Sequence, residues 1–349
     1  MTVRPWRFPA ILATCTLAWG TLHTVAAQST KLYVTNSGGD DVTVVDMGTL
    51  KVVDDIKVGD HVHGVALQAD GRRLFVTVES DNTLRVIDTT ADKMIATIKL
   101  TGNRPNQCAV TPDGKYVAVP LRQGDGVDII DVAQEKVVRT LPVKTPHNAY
   151  NAGSNRYMFV SSMGSAEISI IDLQKMEYAA HIPVLGVPRP YVIATDGNTI
   201  YTALSNLHGF AVVDIAEKKV LEKMSIPGEH LVLHPVSYET FDTFTHGLAL
   251  SPDQSEVWLT SMLDDCIYVY DLKSKKVVAR MNTGEGPNWV AFSPDGKYFC
   301  VSNTGTDDVS IFDVKARREA ARIKVGKLPK RIAVGSVPIA SAAQASAAN

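Results

Sequence analysis

A surplus of charge of one sign is missing from this chain: 35 Lys and Arg stand against 37 Asp and Glu, a formal net charge of −2. A protein built to grip duplex nucleic acid normally carries a basic surplus, so no such partner is expected. Cysteine is scarce, with four among 349 residues. Cys15 lies in an N-terminal apolar segment. Cys108, Cys266 and Cys300 have neither zinc-finger nor redox spacing and read as buried small hydrophobes. No CxxCH motif occurs, which argues against covalent c-type haem, and no GxSxG elbow, phosphate loop or dinucleotide fingerprint is present. The apolar run over residues 8–22 is too short for a membrane span.

That run instead reads as part of an export signal. Arg4 and Arg7 precede it, and Val25-Ala26-Ala27 supplies a small-residue cleavage site before Gln28. Residues 1–27 are therefore expected to be removed, leaving a periplasmic or secreted protein. The 336–349 tail, SVPIASAAQASAAN, is low in complexity and expected to be disordered. Between them, residues 28–335 suffice for one sizeable domain.

What is abundant is repetition. Seven apolar strands end in aspartate, at Asp46, Asp88, Asp131, Asp172, Asp214, Asp271 and Asp313, with spacings of 42, 43, 41, 42, 57 and 42. A second strand precedes each, as in KLYVTN, RLFVTV and YFCVSN, and Asp-Gly turns such as Asp70-Gly71 and Asp295-Gly296 precede several of those. A period near forty residues built from short strands predicts an all-β, seven-bladed β-propeller with four strands per blade. Named from the channel outward, the strands are a, b, c and d. The chain opens on a strand b, so Lys330–Gly335 (KRIAVG) is predicted to supply the missing inner strand of blade one and close the ring.

The tetrapeptide Tyr33-Val34-Thr35-Asn36, set in this period, resembles the YVTN family of seven-bladed propeller repeats. The resemblance spans residues 31–335 and implies an exported propeller. It implies little about function, because propellers of this kind carry lactonases, lyases, copper sites and haem sites.

Strand a begins at the channel mouth, and aligning its first residues places one polar side chain per blade there: Lys330, His63, Asn106, His147, Arg189, His246 and Asn288. His63, His147 and His246 alternate around this ring. They are the candidate ligands of a divalent metal (zinc, copper or iron) and the candidate acid–base groups. Arg189 and Lys330 suit an anion instead, while Asn106 and Asn288 can donate or accept. Trp289 lies beside the ring, available either to stack on a ligand or to pack between blades. The spacing of 57 reveals an insertion between blades five and six that crosses the same face and carries His230 and His234, further candidate ligand-binding residues. The favoured reading is an exported binding module that offers this mouth to a small anionic ligand, a polymer or a partner protein. The alternative is a metal-dependent propeller enzyme, lactonase- or lyase-like or an oxidoreductase, with a three-histidine site.

Overall fold

The computed structural model describes residues 28–205, 207–228 and 243–339. They form seven four-stranded antiparallel sheets and no helix: a seven-bladed β-propeller. Each sheet keeps the order a-b-c-d. In blade one, strand a is Pro329–Pro338, and it pairs with the first described strand, Gln28–Asn36. The pairing runs from Pro329↔Asn36 to Pro338↔Gln28, so the closing strand continues past the residue 335 expected from the pattern.

The repeated aspartate has a local job that explains its period. In each repeat its carboxylate accepts a backbone N–H from two or three residues on, as for Thr49 N–H to Asp46, Gln134 N–H to Asp131 and Ser274 N–H to Asp271. The fourth residue after it then adopts positive φ without being glycine: Leu50, Asp92, Glu135, Met176, Lys218, Lys275 and Arg317 lie between 49° and 56°. That backbone is costly for a residue with a Cβ, and the carboxylate caps the turn that imposes it. At the adjoining a–b turn Gly71 (φ 71°) has no substitute, since a Cβ there would fall 2.0 Å from the carbonyl oxygen of Ser336 in the closing strand.

Apolar residues of neighbouring blades interleave into continuous core clusters around the ring. Cys108, Cys266 and Cys300 are buried free thiols within them. Burial pushes the Cys108 thiol up to about 12, so it is inert packing.

The inner strands share an irregularity that shapes the mouth. In every blade but the third the pairing of strand a with strand b slips just after the first residue, for example between Val62 and Val65, between Thr245 and Leu248, and in blade one between Pro329 and Ile332. Such a bulge re-aims side chains and leaves backbone groups to be satisfied. Strand b supplies a hydroxyl for them: Gly64 N–H donates to Thr77 Oγ1 (2.7 Å), Asn148 N–H to Ser161 Oγ (3.0 Å) and Trp289 N–H to Ser302 Oγ (3.1 Å). Several of these hydroxyls also donate to the next blade's ring carbonyl: Thr35 to His63 (2.8 Å), Thr77 to Asn106 (3.1 Å) and Ser302 to Lys330 (2.6 Å). The Thr and Ser of the YVTN-like strands thus fasten the mouth, blade to blade.

Candidate functional site at the channel mouth

One pocket at the mouth is lined by His63, His147, Arg189, His246, Asn288 and Lys330 of the expected ring. Asn106 lies behind it, fully buried, and reaches it through Arg331. Trp289 is buried under the Arg331 guanidinium, whose carbon stands 4.1 Å from the ring centroid. His230 and His234 fall outside the described residues.

Sequence alignment alone did not single out four contributors. Arg331 follows ring residue Lys330 and is only 2% exposed. Arg104 comes from the loop entering blade three and Arg122 from the end of that blade's strand b, and both line the pocket. Glu79, at the end of strand b in blade two, accepts from His63 Nδ1 at 2.8 Å and lies 3.4 Å from Arg104 Nε. One signal for Arg331 was present. At the place after the ring residue the other blades carry Gly64, Gln107, Asn148, Pro190, Gly247 and Trp289, so Arg331 alone is charged there.

All three ring histidines commit the same nitrogen. His63 Nδ1 donates to Glu79, His147 Nδ1 to the side-chain oxygen of Asn148, and His246 Nδ1 to the carbonyl of Asn288 at 2.8 Å. An acceptor on Nδ1 fixes the tautomer and turns the Nε2 lone pair to the other side of the ring. Nε2 of His63 is buried without a partner among the described residues. The His147 and His246 rings lie edge to face, their centroids 6.1 Å apart.

Electrostatics keep these imidazoles neutral. Burial lowers His63 to about 4 against the pull of Glu79, with Arg331 and Lys330 adding to the depression. Burial, then Arg189 and Arg331, hold His147 well below its ordinary value. For His246 the order is burial, Arg331 and Arg189. Burial by itself would raise the Glu79 carboxyl, but His63 and Arg104 outweigh it and hold it low. Arg331 itself is lowered to about 9, chiefly by burial. Five cationic side chains and one carboxylate thus surround a narrow space of about 30 Å³. Beneath it the channel widens to about 420 Å³, lined mainly by apolar strand residues such as Val65, Ala149 and Val192.

A seven-bladed β-propeller with a basic, histidine-bearing mouth is the class that fold and site define. A family model for YNCE-like beta-propellers matches residues 66–235. Protein NirF of Stutzerimonas stutzeri is 23% identical over 281 residues, covering 74% of this chain and 68% of that protein. Among solved structures, Kuenenia stuttgartiensis hydrazine synthase aligns with a TM-score of 0.70 at 21% identity, over 81% of this chain and 92% of that one. Dihydro-heme d1 dehydrogenase NirN in complex with DHE aligns with a TM-score of 0.63 at 18% identity, over 87% of this chain and 74% of that one. At these identities the structural likenesses show the fold.

The cofactor expectation needs correction. Zinc, copper or iron on His63, His147 and His246 does not suit this mouth: among the described residues no three His, Cys, Asp or Glu are grouped to hold a metal ion. The physical reason is the company of Arg104, Arg122, Arg189, Lys330 and Arg331, whose charges repel a bare dication. A haem-type ligand was also missing from the expected cofactors, which set aside covalent haem and named only zinc, copper or iron. The missing CxxCH motif removes covalent attachment only, and NirN, of the same fold, is a dihydro-heme d1 dehydrogenase solved with DHE.

Proposed function

We propose that this protein is a binding module for a carboxylate-bearing, haem-type ligand, seated on the channel mouth without covalent attachment. The observation that carries the reading is the union of a basic ring with neutral histidines that turn Nε2 away from an anchored Nδ1. The likeness in fold to NirN, solved in complex with DHE, supports the ligand class. Arg189 and Lys330, with Arg104 and Arg122 at the rim, would hold the ligand's carboxylates, since a guanidinium matches a carboxylate in two parallel hydrogen bonds. His147 or His246 would hold the iron through Nε2, the anchored Nδ1–H making the imidazole a better donor. Bound there, the iron would supply redox chemistry. His147 and His246 are almost wholly buried (3% and 6% exposed), so the mouth side chains would have to part for the iron to reach either Nε2.

Titrating the protein with iron(III) protoporphyrin IX and with a dihydro-haem d1 type ligand tests this by absorbance. Saturable binding with a shifted Soret band is expected. His246→Ala or His147→Ala should remove the shift, and Arg189→Gln should weaken binding about tenfold or more. Absence of saturable binding for both ligands would end the proposal.

We also propose that the chain is exported after cleavage at Ala27, on the strength of the basic start, apolar run and Ala26-Ala27 junction. Mass spectrometry of the protein from its native compartment should find Gln28 first. A chain retaining residues 1–27 there would reject this.

A further inference from the structure

Arg331 reaches across the channel mouth from blade one to asparagines of blades seven and three. Its Nη1 donates to Asn288 Oδ1 at 3.1 Å and its Nη2 approaches Asn106 Oδ1 at 3.5 Å, from blades on either side of its own. Trp289 covers one face of the guanidinium. Its Nε, and Nδ2 of Asn106, are buried without a partner among the described residues. An arginine this buried normally meets a carboxylate, because an uncompensated buried charge is costly. Among the described residues both hydrogen-bonding partners are neutral amides, and the carboxylate of Glu79 is engaged by His63 and Arg104. The space of about 30 Å³ above it matches the two oxygens of one small oxyanion better than any larger group.

We infer that Arg331 is the floor of a built oxyanion subsite, which takes one carboxylate at the channel mouth and thereby positions the ligand over the histidines. The inference rests on the mouth being the binding site, not on the ligand being haem-type. The amides orient the guanidinium, Trp289 holds it flat, and the anion supplies the charge that the described residues do not.

Acetate and formate are the probes, added to the protein without any haem, and Trp289 fluorescence is the readout. Trp258, fully buried against Phe292 and Phe299, contributes a constant background. The expected result is a saturable one-to-one change in emission, with affinity falling tenfold to a hundredfold in Arg331→Gln. Because that variant opens a buried site, Asn288→Asp provides the second test. It sets a near-isosteric carboxylate beside the guanidinium, and should abolish acetate binding while leaving the protein folded and no less stable. Three results overturn the inference: no saturable response in the wild type, equal affinities in wild type and Arg331→Gln, or acetate binding unchanged in a folded Asn288→Asp protein. Saturable acetate binding in a protein that ignores haem-type ligands would keep this subsite and reject the haem reading. Haem binding that is indifferent to both variants would do the reverse.

Discussion

Truncation after Gly326 should leave a protein that does not fold to the native ring. The missing segment contains the whole inner strand of blade one, Pro329–Pro338, which pairs with Gln28–Asn36 along its length. It buries Ile332 (3% exposed) and Val337 (0%) and covers Leu32 and Val34, both fully buried. Each such side chain is worth about 1.5–3 kcal/mol, and a row of unpaired strand groups adds to the loss. The sum exceeds about 5 kcal/mol, comparable to the whole stability of an ordinary domain. Arg331 and the closing contact of Gly71 with Ser336 go with it. Far-UV circular dichroism and thermal melting of the truncated chain check the point. A soluble, cooperatively melting protein with the full-length midpoint would falsify the role given to this strand.

The propeller was legible because its period is enforced locally. Each terminal aspartate caps a turn whose fourth residue needs positive φ, so the residue recurs wherever that turn recurs. The missing inner strand could be placed by subtraction, and Lys330–Gly335 is part of the strand found there. Its C-terminal reach was not legible. Ser336, Val337 and Pro338 carry no strand signal beside an alanine-rich tail, and only the partner strand Gln28–Thr30 makes them one.

The mouth was legible to one residue per blade and no further. Counting from the first residue of strand a, a proline in five blades and Val62 or Thr245 in the other two, finds the ring, because the count is the same in every repeat. Arg104, Arg122 and Glu79 stand at or beyond strand ends of only two blades, where no repeat points to them. Arg331 was hidden by the bulge that brings two successive residues of one strand to the same mouth. The consequence was chemical. Without these cations the three histidines look like a metal site, and with them they are neutral imidazoles in a basic basin.

That basin makes the protein acid-sensitive over a definite range. Lowering the pH from 7 toward 4 should depress the melting temperature of the ligand-free protein by about 5 °C or more. His63 is folded with a value near 4 against 6.5 for an unperturbed imidazole, so the unfolded chain takes up the proton first. Its contribution is therefore complete above pH 6.5 and drains away as the pH falls through 6.5 to about 4. For His63 alone that amounts to about 3 kcal/mol at the end of the range. His147 and His246 shift in the same direction and lose stability on the same side. The Glu79 carboxyl, held low, has the opposite charge but the same sense: its contribution persists above its ordinary value of 4.5 and is lost only in stronger acid. The window from 6.5 to 4.5 thus belongs to the histidines. Replacing His63, His147 and His246 together by glutamine should flatten the dependence of melting temperature on pH across it. If the wild-type midpoint holds constant from pH 7 to 4.5, the imidazoles are not kept neutral by the fold, and the anion-binding reading of the mouth loses its electrostatic basis.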